Sequence, residues 1–381
     1  MKIFCFFLCH FFLFINSDSL LYAERLIYFI PTGLYAVDPW RAHTVPPCPY
    51  NRPLYLDLLE EEVQARGGKL IVSDLSECLT PEGMTRLAKA DTFIFCDLPI
   101  WMGGDWLKRI QKLQGKKLIL CAFEPPTVIP QMYTKEILAY FQVVLTWDDS
   151  LVDNKKFFKI CYPVFRGMIK NVIPFSEKRF LTMISGGEKT SVHPFELYSE
   201  RIKAIKYFEK LNKFTGFEFY GTGWGKFHFR NYKGGVFNKL DILKFYRFSL
   251  CYENMKNISG YITEKMFDCF ASGCVPIYWG ASNVATYIPR NCFIAKEDFS
   301  SFEGLVSYLQ NMKEDEYNGY ILNIKNFLNS SAALRFSDKC FVYAFLPHLF
   351  PNKVKSAMPT GNSHVDSSKT VLKSGISAHE L

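Results

Sequence analysis

Residues 246–280, YRFSLCYENMKNISGYITEKMFDCFASGCVPIYWG, constrain the fold of this chain more than any other stretch. Phe248 to Tyr252 is apolar and aromatic enough for a buried strand, and the change to Glu253 and Asn254 ends it. A loop, Met255 to Gly260, leads to Ile262, Met266, Phe267, Phe270 and Ala271, whose spacing forms one helical stripe. Gly273 stands where the residue after a helix favours glycine, and Val275 to Trp279 reads as the next strand. The unit is therefore strand, loop, helix, strand, with Tyr261, Thr263, Glu264 and Lys265 crowded at the helix start.

A helix start presents unpaired N–H groups and the positive end of the helix dipole, and Lys265 adds a full charge one turn in. That combination suits a diphosphate. Glu253 and Glu264 are not explained by phosphate alone, but they suit sugar hydroxyls, so the best-fitting ligand is a nucleotide sugar. A plainer reading stays open on the residues alone: Glu264 favours a first helical turn, and Lys265 is a solvated surface group.

The rest of the chain alternates. Strands are expected at Leu26–Ile30, Lys69–Val72, Thr92–Cys96, Lys117–Ala122 and Phe141–Thr146, and helices at Leu54–Ala65 and Trp106–Leu113. A second series follows, with strands at Phe180–Ile184 and Phe217–Tyr220 and helices at Glu196–Leu211 and Leu240–Phe245. Alternation at these lengths implies parallel sheets with helices on both faces, whose ligands gather at the carboxyl ends of strands. We divide the chain into 1–23 as a signal or short anchor, 24–165 as a first Rossmann-like domain, 175–350 as a second domain that holds the nucleotide-sugar site, and 352–381 as a tail expected to be disordered.

Composition narrows the classes. The chain has 381 residues, 49% of them hydrophobic and 17% aromatic, which describes a packed enzyme-sized protein. A net charge of +8 is spread without a long basic run, and no motif supports nucleic-acid binding. Ile3 to Ile15 is an apolar run that suits a signal-peptide core better than a full membrane span of about twenty residues, so export or membrane association is expected, with a cytoplasmic, membrane-peripheral protein as the alternative. None of the twelve cysteines forms C-x-x-C, which excludes zinc-finger spacing and a dense disulfide framework. No metal site is expected.

At residues 246–280 the chain resembles the fucosyltransferases of inverting glycosyltransferase family ten. Tyr246-Arg247-Phe248, Glu253-Asn254, Tyr261-Ile262-Thr263-Glu264-Lys265 and Gly273-Cys274-Val275-Pro276 follow that family's donor signature in order. The resemblance runs from roughly Phe180 to Phe336 and more weakly upstream. It departs from animal members in lacking their late C-x-x-C. It implies the α/β, GT-B architecture of two doubly wound domains facing a cleft, GDP-fucose as donor, a glycan acceptor, and inversion by a single displacement. It also implies a donor set of Arg230, Glu253, Asn254, Tyr261, Thr263, Glu264 and Lys265. An arginine of that family pairs with the signature lysine on the diphosphate; Arg230 is the match, and Lys226 is its rival across a one-residue gap.

The catalytic residue implied is Glu124. The strand Lys117–Ala122 delivers Phe123-Glu124-Pro125-Pro126, and the residues alone allow either a general base or a strand-terminating acid in a turn. The family has a glutamate in an equivalent setting that deprotonates the acceptor. No D-x-D occurs, so no metal cofactor is expected, and the leaving diphosphate would be neutralised by side chains. Two other readings stay open: a transferase for another nucleotide sugar, and a sugar-binding relative without catalysis. Trp40 to His43, in a Pro-rich loop, are expected among the acceptor contacts.

Overall fold

The computed structural model describes residues 25–31, 53–73, 75–187, 190–211 and 216–351. The apolar run Ile3–Ile15, the Trp40–His43 loop and the tail from 352 lie outside them. No helix among the described residues is long and apolar enough to cross a membrane.

The first sheet contains β1 (Arg25–Ile30), β2 (Gly68–Val72), β3 (Thr92–Cys96), β4 (Lys117–Ala122), β5 (Val143–Thr146) and β6 (Phe157–Lys159), in the spatial order β2-β1-β3-β4-β5-β6. Every pairing is parallel. All five residues of β3 are buried, as expected of a strand covered on both faces. The crossovers carry α1 (Leu54–Ala65), α2 (Pro81–Leu87), α3 (Trp106–Lys112) and α4 (Lys135–Leu138). Thr80 caps α2 through its hydroxyl, and Pro81 occupies the first helical position.

The second sheet repeats the same winding. It contains β7 (Arg179–Ile184), β8 (Phe217–Tyr220), β9 (Tyr246–Tyr252), β10 (Val275–Trp279) and β11 (Ile294–Ala295), in the order β11-β10-β9-β7-β8, again all parallel. Its helices are α5 (Tyr198–Lys210), α6 (Lys239–Leu243), α7 (Glu264–Ala271), α8 (Phe302–Asn311), α9 (Glu314–Leu328) and α10 (Asp338–Leu349). In each sheet the winding reverses between the first strand and the third, at β1/β3 and at β7/β9. Crevices at such reversals are where doubly wound sheets bind ligands.

α10 follows the second domain in sequence but packs on the first. Phe341 stacks on Phe123 and meets Tyr55 of α1 edge-on, and Lys117 Nζ donates to His348 O. The helix buries Phe341, Val342, Phe345, Leu346 and Leu349. It therefore lies against the first sheet and closes the two domains together.

The domain contact itself is buried and aromatic. Trp147, after β5, packs on Tyr261 with ring centres 4.6 Å apart. Gly260 explains why the chain can come so near: its φ is +85°, and a Cβ there would lie 2.3 Å from Trp147 O. Beside it, Asp149 accepts hydrogen bonds from Asn283 Nδ2 at 2.8 Å and Tyr287 Oη at 2.6 Å, both in the second domain, and pairs with Lys159 at 2.6 Å. Burial would push Asp149 upward, but those three partners outweigh it and hold the carboxyl below its ordinary value. A depressed carboxylate stabilises the fold above its unfolded pKa of about 3.9, and the gain is lost as pH falls through the folded value. Asp149→Asn is thus expected to lower the melting temperature at pH 7 and to match the parent in strong acid. An equal deficit at both pH values would show that the Asp149 charge is not what latches the domains.

Candidate functional site

β9 ends at Tyr252, and the next residue, Glu253, points inward with no exposed surface. A buried carboxylate must be paired, and the start of α7 supplies the partners. Thr263 N donates to Glu253 Oε1 at 2.9 Å, Thr263 Oγ1 to Oε2 at 2.7 Å, and Lys265 Nζ to Oε2 at 3.2 Å. Glu253 thus pins the strand end to the helix start and aims Lys265. This corrects the expectation that Glu253 meets sugar hydroxyls, because its oxygens are consumed within the fold. Glu264, the residue after Thr263, accepts from Lys239 Nζ at 3.1 Å and lies 3.7 Å from Lys265 Nζ.

These residues border a cleft of about 570 Å³ between the domains. That volume falls in the range of small-molecule sites, roughly 300–1,000 Å³. The second domain contributes Ser185 and Gly186 after β7, Asn254 after β9, and Tyr261, Thr263, Glu264, Lys265 and Asp268, all around the β7/β9 reversal. The first domain contributes Glu124 after β4, and the segment between domains contributes Tyr162 and Arg166. Four cations line the cleft, Arg166, Arg201, Lys239 and Lys265, against Glu124, Glu264 and Asp268. Burial works against the charge on Lys265, but Glu264 and Glu253 outweigh it and raise its pKa, so the ammonium stays protonated.

Residues 188–332 match the family model described as "Glycosyltransferase family 10 (fucosyltransferase) C-term". This segment is similar to the C-terminal domain of family 10 glycosyltransferases. Among similar proteins, the alpha-(1,3)-fucosyltransferase FucT of Helicobacter pylori is 39% identical over 75 residues, 20% of this chain and 16% of that protein. The 4-galactosyl-N-acetylglucosaminide 3-alpha-L-fucosyltransferase 9 of Mus musculus is 32% identical over 141 residues, 34% of this chain and 37% of that protein. The matched segments thus span well under two thirds of these relatives. Across the fold, a crystal structure of an alpha1,3-fucosyltransferase superposes with a TM-score of 0.52 at 14% identity, covering 86% of this chain and 91% of that one. A DNA-modifying beta-glucosyltransferase superposes at 0.50 with 13% identity, covering 85% and 99%. The architecture is GT-B.

Asn254, Tyr261, Thr263, Glu264 and Lys265 line the cleft, and so does Glu124 of the other domain. Arg230 and Lys226 do not line it. After β8, Phe227 and Phe229 turn back to pack on Trp224 and Phe219, which carries the intervening backbone away from the strand end. Arg230 is exposed, and its N, Nε and Nη2 donate to Glu209 of α5. Gly221 and Gly223 hold positive φ of 134° and 82°, so this glycine run makes a turn, and its Gly221 and Thr222 border the cleft.

Of the cations that line the cleft, Lys265 was legible in the sequence, whereas Arg201 and Lys239 were less visible. Arg201 lies on the buried stripe of α5 with Tyr198, Ala204, Ile205 and Phe208. Its Nη2 donates to Tyr252 O at 2.8 Å, Glu253 O at 2.6 Å and Asn254 Oδ1 at 3.0 Å, which clamps the end of β9. An arginine on an otherwise apolar stripe was the available signal. Lys239 opens α6, where a cation opposes the helix dipole, and it is held by Glu264 and Asp268. That misplacement was its signal. Among the described residues no group of three or more His, Cys, Asp or Glu could hold a metal ion, and none of the nine described cysteines forms a disulfide.

Proposed function

We propose that this protein transfers L-fucose from GDP-fucose to a hydroxyl of a glycan acceptor, with inversion, in the manner of an alpha-1,3-fucosyltransferase. The observation that carries the reading is the placement of Glu124 across the cleft from Arg201, Lys239, Lys265 and the start of α7. The match of residues 188–332 to the family 10 model supports the donor class, as do similar proteins named as alpha-(1,3)- and alpha-(1,4)-fucosyltransferases. A solved alpha1,3-fucosyltransferase with TM-score 0.50 is described with GDP.

In this reading Lys265, Arg201 and the N–H groups at the start of α7 hold the diphosphate. Glu124 takes the proton of the acceptor hydroxyl as that oxygen bonds to the anomeric carbon of fucose. The bond from that carbon to phosphate breaks on the opposite face, and its electron pair leaves with GDP. Charge on the departing diphosphate is met by fixed cations. A divalent ion is then not required.

Calorimetry with GDP-fucose, GDP and a panel of other nucleotide sugars, in chelator, tests the donor assignment. GDP-fucose and GDP are expected to bind and uridine sugars to bind at least tenfold more weakly, a difference of about 1.4 kcal/mol. Preference for a uridine sugar, or binding only with Mn²⁺, overturns it.

A further inference from the structure

Asp97 follows β3 with its backbone in the left-handed region, at φ 57°, which aspartate tolerates better than most residues. It is the point at which the end of β3 grips the end of β4. Its N–H donates to Cys121 O at 2.9 Å, and its Oδ1 accepts from Phe123 N at 2.6 Å and Glu124 N at 2.9 Å. Those two amides lie just past β4, where strand pairing has stopped. The two matching carbonyls are also taken by side chains. Phe123 O accepts from Trp147 Nε1 at 2.9 Å and from Tyr162 Oη, and Glu124 O accepts from Tyr133 Oη at 2.7 Å. All four backbone polar groups of Phe123 and Glu124 are therefore fixed by side chains drawn from separate parts of the chain.

Asp97 is the costly member of this frame. It is 1% exposed, and its Oδ2 has no hydrogen-bond partner among the described residues. Burial, and then the nearby Glu124 charge, push its carboxyl well above the usual carboxylate range. A strand end needs no such group for stability alone, since a turn could leave the same amides to solvent. Orphaned polar atoms of this kind ask for an explanation, and function is one.

We infer that Asp97 is a positioning residue for Glu124: its Oδ1 fixes the Phe123–Glu124 backbone so that the Glu124 carboxylate is held toward the reacting hydroxyl. The inference rests on Glu124 being the general base. What Asp97 supplies is an acceptor oxygen in a fixed place, and misplacement of a catalytic group by about 1 Å can cost on the order of 10²-fold in rate.

The test uses the full chain and the variants Asp97→Ala, Asp97→Asn and Glu124→Gln, singly and with Asp97→Ala combined with Glu124→Gln. Asp97→Ala is expected to lower kcat by about 10–100-fold while GDP affinity and donor KM change by no more than about twofold. Asp97→Asn, which keeps the acceptor oxygen, should recover most of that loss. Added to Glu124→Gln, Asp97→Ala should cost little more, because a residue acting through another has nothing left to position. Normal kcat in Asp97→Ala, or its full loss added on top of Glu124→Gln, overturns the inference. Should Asp97→Ala not fold, Asp97→Asn decides, since turnover as slow as that of Glu124→Gln would mean the acceptor oxygen is not the contribution. Normal turnover in Glu124→Gln removes the base itself, a result distinct from failure of Asp97 alone.

Discussion

Replacing Glu124 by glutamine is expected to lower turnover by about 10²–10⁴-fold while leaving GDP affinity within about twofold. Inverting transfer needs a basic group on the face of the sugar opposite the diphosphate. The cations that suit the diphosphate belong to the second domain, so the base should come from the first. Among the described residues, Glu124 is the acid that the first domain places on the cleft. Its rivals are otherwise engaged: Asp148 accepts from Ser150 in its own turn, Asp149 joins the domains, and Asp97 is buried beneath the turn. Glutamine keeps the shape of the side chain and does not disturb the backbone frame set by Asp97 and Tyr133. The loss should therefore appear in kcat for GDP-fucose, with calorimetric GDP binding as the control. Near-normal turnover would take Glu124 out of the mechanism. A parallel loss of GDP binding would make it a structural acid.

The architecture was legible because parallel strands covered on both faces read as near-continuous apolar runs, as β3 does from Phe93 and β4 from Leu118. Helix starts with caps or turn residues gave the punctuation between them. Side-chain direction was not legible. A glutamate after a strand reads the same whether it faces solvent or the interior, and Glu253 turns inward because Thr263 and Lys265, ten and twelve residues later, complete its pairing. Arg230 and Arg201 show the same limit in opposite ways. Arg230 follows a strand end in sequence, but aromatic packing carries it to Glu209, whereas Arg201 is remote in sequence and its helix brings it to the end of β9. The crossing of α10 back to the first sheet was hidden for a related reason, since an apolar helix specifies that it is buried but not against what.

Lys265→Ala is expected to weaken GDP binding by about 1.5–3 kcal/mol, or roughly 10- to 100-fold, the range for a charged hydrogen bond to phosphate. The ammonium is set at the start of α7, where the helix N–H groups also face the anion, and Glu253 and Glu264 keep it charged and in place. Removing it has a second consequence: buried Glu253 loses the one ammonium that hydrogen-bonds it among the described residues, so the melting temperature should fall as well. The two effects are separable. Glu253→Gln in the Lys265→Ala background removes the uncompensated charge, and should restore stability without restoring GDP affinity. Arg201→Ala should likewise weaken GDP binding, since Arg201 lines the same cleft and clamps the end of β9. Arg230→Ala and Lys226→Ala, which alter charge outside the cleft, should leave GDP affinity within about twofold, as surface charges do when screened. If Lys265→Ala binds GDP normally, or if Arg230→Ala is as damaging as Arg201→Ala, the diphosphate does not lie at the start of α7 and the donor geometry proposed here is wrong.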